Sequence, residues 1–263
     1  MFGRPPRELR YRRGRRRVTG RAVLYVLEGI ISVCLLCLCG FSFVRYVSAT
    51  TNFEPRNVIV SGNRYLSPES IQSAALDGFQ GNLVNMDTAE IEARVKSLPY
   101  VKTCRIARVM PDTLNVSIEE RVPSAALVVD NHMFAVDAEG VVLEELKEPE
   151  TFAGPLITNV PDLGLVEPGT VIDKQPFIDA LTVWESFSKN DISERVEVSE
   201  LSVEQHGTIE MVCEELPYSI LWAHDEIEQQ VLYLSLLWNE EGSHNLGCSE
   251  YLDLRFGKDI ACR

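Results

Sequence analysis

Histidine and recognisable catalytic patterns are scarce in this chain of 263 residues. It has four histidines and three tryptophans, and aromatic residues make up 8% of it. No glycine-rich phosphate loop is present, and no nucleophile can be matched with a base at any defined spacing. No general acid/base pair can be placed in one cleft either. These absences argue against an enzyme and against a bound cofactor.

Metal ligands are also few and irregularly spaced. The best set of candidates is His206, His224, His244, Cys213 and Cys248. Their spacings match no zinc motif. Cys213 alternates with Ile209 and Met211, which predicts a buried core thiol and not a ligand. We therefore predict that the protein has no metal site.

Paired glutamates occur in two predicted strands, at Glu119–Glu120 and Glu144–Glu145. Neighbouring residues of a strand point to opposite faces, so neither pair can converge on one substrate. The sequence favours a solvated surface for all four carboxylates.

Positive charge is scarce outside the N-terminal region. The whole chain carries a net charge of −14, yet its first 21 residues contain nine arginines and one glutamate. These arginines are Arg4, Arg7, Arg10, Arg12, Arg13, Arg15, Arg16, Arg17 and Arg21. Such a block is typical of a solvated tail, with nucleic-acid contact as the alternative. The apolar residues directly after the block favour a membrane protein, with no nucleic-acid partner.

A hydrophobic run of 23 residues, from Ala22 to Val44, comes after the arginines. A helix needs about 20 apolar residues to cross a bilayer, and arginines next to such a span keep that end in the cytoplasm. We predict a cytoplasmic tail over residues 1–21 and a transmembrane helix over residues 22–44. The stretches "VSA" and "RRRVTG" loosely resemble export signals. Arg45 and Tyr46 separate the run from "VSA", which favours an uncleaved anchor.

The seven cysteines fall into two groups. Cys34, Cys37 and Cys39 lie inside the span, where thiols behave as small apolar groups. The other four are Cys104, Cys213, Cys248 and Cys262. An oxidising compartment permits disulfides among them, in three possible pairings that the sequence does not distinguish.

Residues 53–122 show the element order β-α-α-β-β. Ser67 with Pro68 and Asp87 with Glu90 are typical of helix starts. Val101–Val109 reads as a strand, and "MPDT" as the turn after it. In the next strand Leu114, Val116 and Ile118 alternate with polar residues, which predicts one buried face.

Residues 123–263 are rich in strand patterns. The sequence "DAEG" predicts a hairpin turn. Two helices interrupt the strands, one from Pro176 to about Ser188 and one from His224 to about Asn239. We predict a second, mainly antiparallel β domain, joined to the first without a Gly/Ser/Pro-rich linker.

Several stretches together resemble the FtsQ/DivIB family of bacterial cell-division proteins. They are "VIVSGN", "LPYVKTCRIARVMPDTLNVSIEERVP", "FAVDAEGVVLEE", "GPLITNV" and "YLDLRF". The resemblance covers roughly Arg4 to Arg263. It implies an α+β fold with a polypeptide-transport-associated (POTRA) domain over residues 53–122 and an FtsQ-type β domain over residues 123–263. The chain departs from the family at Trp222-Ala223-His224, where a glycine often follows the strand.

The resemblance also implies a function. The protein would be a non-enzymatic divisome scaffold, spanning the inner membrane once, with its C-terminal domains outside the cytoplasm at the division septum. It would bind FtsB- and FtsL-type proteins and link them to the septal peptidoglycan synthase complex. The alternative is a POTRA-containing envelope assembly or secretion factor.

The resemblance places the partner site at the last strand, which we expect to span "FGKDIACR" and to accept a partner strand at its outer edge. The expected site residues are Arg255, Phe256, Lys258, Ile260, Ala261, Cys262 and Arg263. Arg255 would bind a partner carboxylate through two hydrogen bonds, and Phe256 would be the apolar anchor. In the alternative interpretation, Arg255 pairs with a neighbouring strand and Phe256 fills the core.

Overall fold

The computed structural model describes residues 20–79, 81–147, 152, 154–204, 207–241, 246–257 and 259–263. The predicted basic tail lies outside these residues except for Gly20 and Arg21. The chain divides into two compact units. One holds the first 54 residues and residues 81–86, and the other holds the rest.

The first unit contains a long apolar helix, α1 (Gly20–Ala49). Within it, Val23–Tyr46 is 24 residues long and apolar enough to cross a membrane. At 1.5 Å per residue this is about 36 Å, enough for a hydrocarbon core of about 30 Å. Its large apolar side chains are exposed, as expected of a helix that lipid would surround. The helix therefore fits the predicted single span.

The second unit begins with the predicted order β-α-α-β-β, which is confirmed. The elements are β1 (Asn57–Ser61), α2 (Pro68–Leu76), α3 (Thr88–Lys96), β2 (Val101–Val109) and β3 (Thr113–Glu120). The sheet order is β1-β3-β2, with β1 parallel and β2 antiparallel to β3. Both predicted caps form, since the side chain of Ser67 accepts from the Ser70 N–H and that of Asp87 from the Ala89 N–H.

The central strand β3 buries the face that the sequence predicted. Leu114, Val116 and Ile118 are all buried. Close to this strand, Gly62 has φ +89°, and a Cβ there would lie 1.9 Å from the carbonyl oxygen of Ile118. The "SGN" turn therefore requires glycine on both steric and conformational grounds.

The described residues from 123 onwards form one nine-stranded sheet, two α-helices and a short 3-10 helix (Asp191–Glu194). The strands are β4 (Pro123–Val129), β5 (His132–Asp137), β6 (Val142–Leu146), β7 (Leu156–Thr158), β8 (Val198–Val203), β9 (Ile209–Cys213), β10 (Ser219–Trp222), β11 (Tyr251–Asp253) and β12 (Ala261–Cys262). The helices are α4 (Gln175–Ser188) and α5 (Ile227–Glu241). The strand order is β12-β11-β10-β9-β8-β7-β4-β5-β6, and most neighbouring pairs are antiparallel.

The main core lies between this sheet and the two helices. Helix α4 contributes Phe177 and Phe187, and the ring of Phe187 packs edge-on against Trp222 of β10. Helix α5 contributes an apolar stripe at helical spacing, formed by Ile227, Val231, Leu234 and Trp238, which is buried in the same core. Cys213 is also buried there, as predicted.

Two predicted boundaries are wrong. Helix α5 begins at Ile227 and not at His224, because Glu226 has φ +51° and the Gln230 side chain hydrogen-bonds the backbone of Ala223 and Asp225. The last strand is shorter than "FGKDIACR". Phe256 to Asp259 closes a turn through an Asp259 N–H bond to the Phe256 carbonyl, which leaves Ala261–Cys262 as the strand.

A small apolar cluster joins the POTRA part to the nine-stranded sheet. Tyr100 packs with Ala135, Val141 and Leu143, and Leu66 lies against them. Only two residues separate the end of β3 from the start of β4. This packing agrees with the absence of a flexible linker. The domain boundary at residues 122 and 123 stays a prediction, because both sides belong to one compact unit.

Candidate partner-binding edge

Strand β12 forms one edge of the nine-stranded sheet. It pairs with β11 through Leu252↔Cys262 and Asp253↔Ala261. Arg263 and Tyr251 exchange both backbone hydrogen bonds, at 3.1 and 3.2 Å. Residues of an antiparallel ladder alternate between facing the partner and facing away. Cys262 therefore directs its backbone N–H and C=O out of the sheet, where an added strand would bind.

One disulfide anchors this edge. Cys248, in the segment before β11, is bonded to Cys262 of β12, with their Cα atoms 5.3 Å apart. Cys104 and Cys213 are buried free thiols. Burial raises the pKa of both, to about 12 for Cys213, so both stay protonated at neutral pH. The structure thus selects one bond from the pairings that the sequence left open.

The guanidinium of Arg255 is held within its own chain. Its Nε and one terminal nitrogen donate to the two carboxylate oxygens of Asp253 at 2.8 and 2.6 Å, and the other terminal nitrogen donates to Thr208. Burial alone would raise the pKa of the Asp253 carboxyl, but the bonds from Arg255 outweigh it and hold that pKa below its usual value. The internal ion pair of the alternative interpretation is therefore present. A guanidinium has five N–H donors, so a further bond to a partner stays a prediction.

Phe256 is 62% exposed in the turn that leads to β12. The Arg255 guanidinium lies 5.8 Å from the centre of its ring. The alternative that Phe256 fills the core is therefore wrong. An exposed aromatic ring beside an open sheet edge is the kind of residue that anchors a partner.

The other expected site residues differ in exposure. Ile260 is half-buried and packs against the main core, whereas Ala261, Cys262 and Arg263 are exposed. The Arg263 side chain pairs with Glu250 at 3.1 Å. Lys258 lies outside the described residues.

The other sheet edges have outward groups that are already bonded. On β2 the N–H of Ile106 donates to the Glu92 carboxylate, and on β1 the carbonyl of Val58 accepts from Gln72, both at 3.1 Å. On β6, Val142 exchanges bonds with Gly169 and Thr170. Within the described residues, no side chain bonds the outward backbone groups of Cys262. The outward groups of Cys262 on edge strand β12 are therefore open to strand addition.

Three of the four paired glutamates, Glu119, Glu144 and Glu145, are exposed as predicted, whereas Glu120 is half-buried. Glu120 and Glu144 also accept hydrogen bonds from distant parts of the chain. Glu120 accepts the backbone N–H groups of Arg64, Tyr65 and Leu66, at 2.6 to 2.9 Å. Glu144 accepts the Tyr100 hydroxyl at 2.6 Å. Their donors lie more than 40 residues away in sequence, so the strand pattern carried no signal of them.

An ion network links the POTRA part to the β5–β6 hairpin. Arg121 donates to Asp137 at 2.6 Å and to Glu139 at 2.7 Å, and Lys102 pairs with Glu139 at 2.8 Å. Asp137 is buried and also accepts two N–H groups of its own turn, from Glu139 and Val141. Hydrogen bonds from Lys102, and then from Arg121, lower the pKa of Glu139 to about 2.

The candidate metal ligands do not assemble in the part of the chain that the structure describes. No group of three His, Cys, Asp or Glu side chains there could hold an ion. His224 is exposed, and His206 and His244 lie outside the described residues. Cys213 is in the core and Cys248 is in the disulfide.

Comparison with known proteins fits this architecture. Residues 53–121 match the family described as POTRA domain, FtsQ-type. Cell division protein FtsQ of Syntrophotalea carbinolica is 23% identical over 228 residues, which cover 87% of this chain and 78% of that protein. The chain therefore contains an FtsQ-type POTRA domain and is similar over most of its length to FtsQ, a bacterial cell-division protein.

Other FtsQ relatives match shorter parts. FtsQ of Geobacter sp. (strain M21) is 27% identical over 160 residues, or 59% of this chain and 58% of that protein. FtsQ of Caulobacter vibrioides is 32% identical over 111 residues, or 40% of this chain and 36% of that protein. Similarity to these FtsQ proteins supports a role in cell division, and the apolar N-terminal helix fits a single-pass membrane protein.

Proposed function

We propose that the protein is a non-enzymatic scaffold of the divisome that binds FtsB- and FtsL-type proteins and links them to the septal peptidoglycan synthase complex. The observation that carries this proposal is the open edge at β12, with the backbone groups of Cys262 directed outward and Phe256 exposed beside it. A partner strand at this edge would gain a ladder of backbone hydrogen bonds, and Phe256 would supply apolar contact.

The proposed location is the plasma (inner) membrane at the division septum, with the N-terminus in the cytoplasm. The arginines before α1 support this orientation through the positive-inside rule. The Cys248–Cys262 disulfide is a second support, because such bonds persist in oxidising compartments outside the cytoplasm.

An envelope assembly or secretion factor is the alternative function of a POTRA protein. Such a factor would take client strands at the edges of its POTRA sheet. Here Glu92 bonds an outward N–H of β2, and Gln72 bonds a carbonyl of β1. These contacts compete with an incoming strand, so they favour the divisome scaffold.

The proposal is tested with the full chain in lipid nanodiscs and the extracytoplasmic part of the FtsB-type protein from the same genome. Ile260→Pro removes the backbone N–H directly before β12, and Phe256→Ala removes the exposed ring. We expect each to weaken binding at least tenfold. Leu165→Pro, in an exposed loop, is the matched control and should bind as the wild type does. Unchanged affinity for Ile260→Pro and Phe256→Ala would move the partner site elsewhere.

The substitution Arg255→Glu would not test partner binding alone. It would place a second carboxylate beside the buried Asp253 and so disturb β11 itself.

In cells, a fluorescent fusion of the full chain should form a ring at midcell. An even distribution over the envelope would favour the assembly-factor alternative.

A further inference from the structure

We propose that the Cys248–Cys262 disulfide is a redox clamp on the partner-binding edge. While the bond is intact, β12 stays on the sheet and can accept a partner strand. When it is reduced, β12 leaves β11 and partner binding weakens. This inference rests on the proposed function, because it assigns a regulation to the same edge.

Side-chain packing holds β12 only weakly. The strand is two residues long, and both Ala261 and Cys262 are exposed. Arg263 is also exposed, and its ion pair with Glu250 lies on the surface. Ile260 is the one described residue of 259–263 that packs against the main core. A short edge strand with so little buried surface opens easily unless another bond holds it.

The disulfide is placed where it can supply that bond. Cys248 is buried directly before the segment whose N–H groups, from Ser249, Glu250 and Tyr251, all donate to the Arg263 carbonyl. Its partner Cys262 lies next to Arg263. The covalent link and the three hydrogen bonds therefore secure the same end of β12. Loss of the link frees the two segments to separate, since the restraint on their distance is gone.

The bond is also accessible to a reductant. Cys262 is exposed, whereas Cys248 is buried. A thiolate of a dithiol reductant attacks the Cys262 sulfur, the S–S bond breaks, and the Cys248 thiolate leaves and takes a proton. The second thiol of the reductant then resolves the mixed disulfide and releases Cys262 as a thiol. The protein gains two electrons and two protons, and the reductant becomes a disulfide.

The other thiols outside α1 do not compete in this exchange. Cys104 and Cys213 are buried, and burial raises the pKa of both. Exchange requires an accessible thiolate, so both are expected to stay inert. The response to a reductant is thus expected to arise at Cys248 and Cys262.

The test compares the full chain in nanodiscs with and without dithiothreitol. Hydrogen exchange at residues 261–263 reports whether β12 is on the sheet, with no partner needed. Binding of the extracytoplasmic part of the FtsB-type protein reports the edge's function. We expect reduction to speed exchange at least tenfold and to weaken binding at least tenfold.

Cys248→Ser/Cys262→Ser should resemble the reduced protein and not respond to dithiothreitol. Cys104→Ser is the matched control and should respond as the wild type does.

Two outcomes would overturn the clamp. Exchange at residues 261–263 that is insensitive to reduction would show that β12 needs no disulfide. Faster exchange with unchanged partner affinity would show that the partner does not bind at this edge. Absence of binding to the oxidised, folded protein would instead contradict the proposed function, and the clamp's role in binding would fall with it.

Discussion

Several single carboxylates accept hydrogen bonds from other groups of the chain, although the strand pattern alone would place them on the surface. Glu120 accepts the three backbone N–H groups that directly follow the "SGN" turn. Asp137 accepts two N–H groups of its own turn and the guanidinium of Arg121. Asp253 is buried beneath the fork of Arg255. In each case a charged oxygen satisfies donors that would otherwise lack partners, and such bonds are among the stronger ones in proteins.

Substitutions of Glu120 and of its neighbour Glu119 should therefore differ in their effect on the free energy of unfolding. Glu120→Gln keeps the shape but removes the charge that accepts three N–H groups, so we expect it to lower the free energy of unfolding by about 1–2 kcal/mol. Glu119→Gln is the matched control. Its partner in the structure is the exposed Thr103 hydroxyl, so a change below about 0.5 kcal/mol is expected. Urea unfolding of the full chain in detergent micelles measures both, and equal effects would contradict the role given to Glu120.

Strands β3 and β12 differ in the number of neighbouring strands and in the burial of their side chains. Strand β3 lies between β1 and β2, with one face fully buried. Strand β12 has one neighbour and exposed side chains. Because β3 has neighbours on both edges and a buried face, its residues are constrained by packing. Strand β12 has a single neighbour and no buried face, so it depends on backbone hydrogen bonds and one disulfide. Its outer edge is left open to a partner.

The face of β3 can be tested directly. Leu114→Asp places a charge in the POTRA core, and we expect a loss of at least about 4 kcal/mol, enough to unfold this part. Ser117→Asp, on the exposed face of the same strand, is the matched control and should change stability by less than about 1 kcal/mol. Far-ultraviolet circular dichroism separates the outcomes. A native spectrum for Leu114→Asp would be inconsistent with this strand register.

At the scale of the whole molecule, the joint between the POTRA part and the nine-stranded sheet combines an apolar cluster with an ion network. Tyr100 belongs to the apolar cluster through its ring, and its hydroxyl adds a hydrogen bond to Glu144 beside the ion network. Burial, and then the bond to Glu144, raises the pKa of the Tyr100 hydroxyl, so it remains a donor at physiological pH. The joint thus packs the POTRA part against the nine-stranded sheet.

The ion network predicts a dependence on pH. Lys102 and Arg121 lower the Glu139 pKa from 4.5 to about 2 in the folded state. Glu139 therefore contributes stability that is present above about pH 4.5 and is lost as pH falls towards 2. The contribution is small because Glu139 is half-exposed and solvent screens it. The difference in the free energy of unfolding between wild type and Glu139→Gln, measured in urea, should be present at pH 7 and should shrink as pH falls from about 4.5 towards 2. A constant difference would exclude Glu139 as the source.

Membrane orientation gives a second test at this scale. The arginines before α1 predict a cytoplasmic N-terminus and an outer C-terminus. A reporter that is active only in the cytoplasm, fused after Arg263, should be silent, while the same reporter fused before the first residue should be active. Activity of the C-terminal fusion would reverse the orientation and would also remove the compartment that the disulfide needs.

Local patterns in the sequence determined much of this protein. The apolar length of α1, the helix caps at Ser67 and Asp87, the alternation in β3 and the stripe of α5 each depend on residues close together in the chain. Periodicity reports which face of a helix or strand is buried, because burial repeats with the geometry of the element. The family motifs added the order of the domains and the region in which to look for a partner.

Only the tertiary structure decided the rest. The pairing of Cys248 with Cys262, the internal partner of Arg255, the donors of Glu120 and the joint at Arg121 all depend on which strands lie side by side. Strand β7, for example, pairs in parallel with both β4 and β8, which no local pattern predicts. Contacts between distant segments result from sheet order and register, and these are set by the packing of the whole core rather than by any short stretch of sequence.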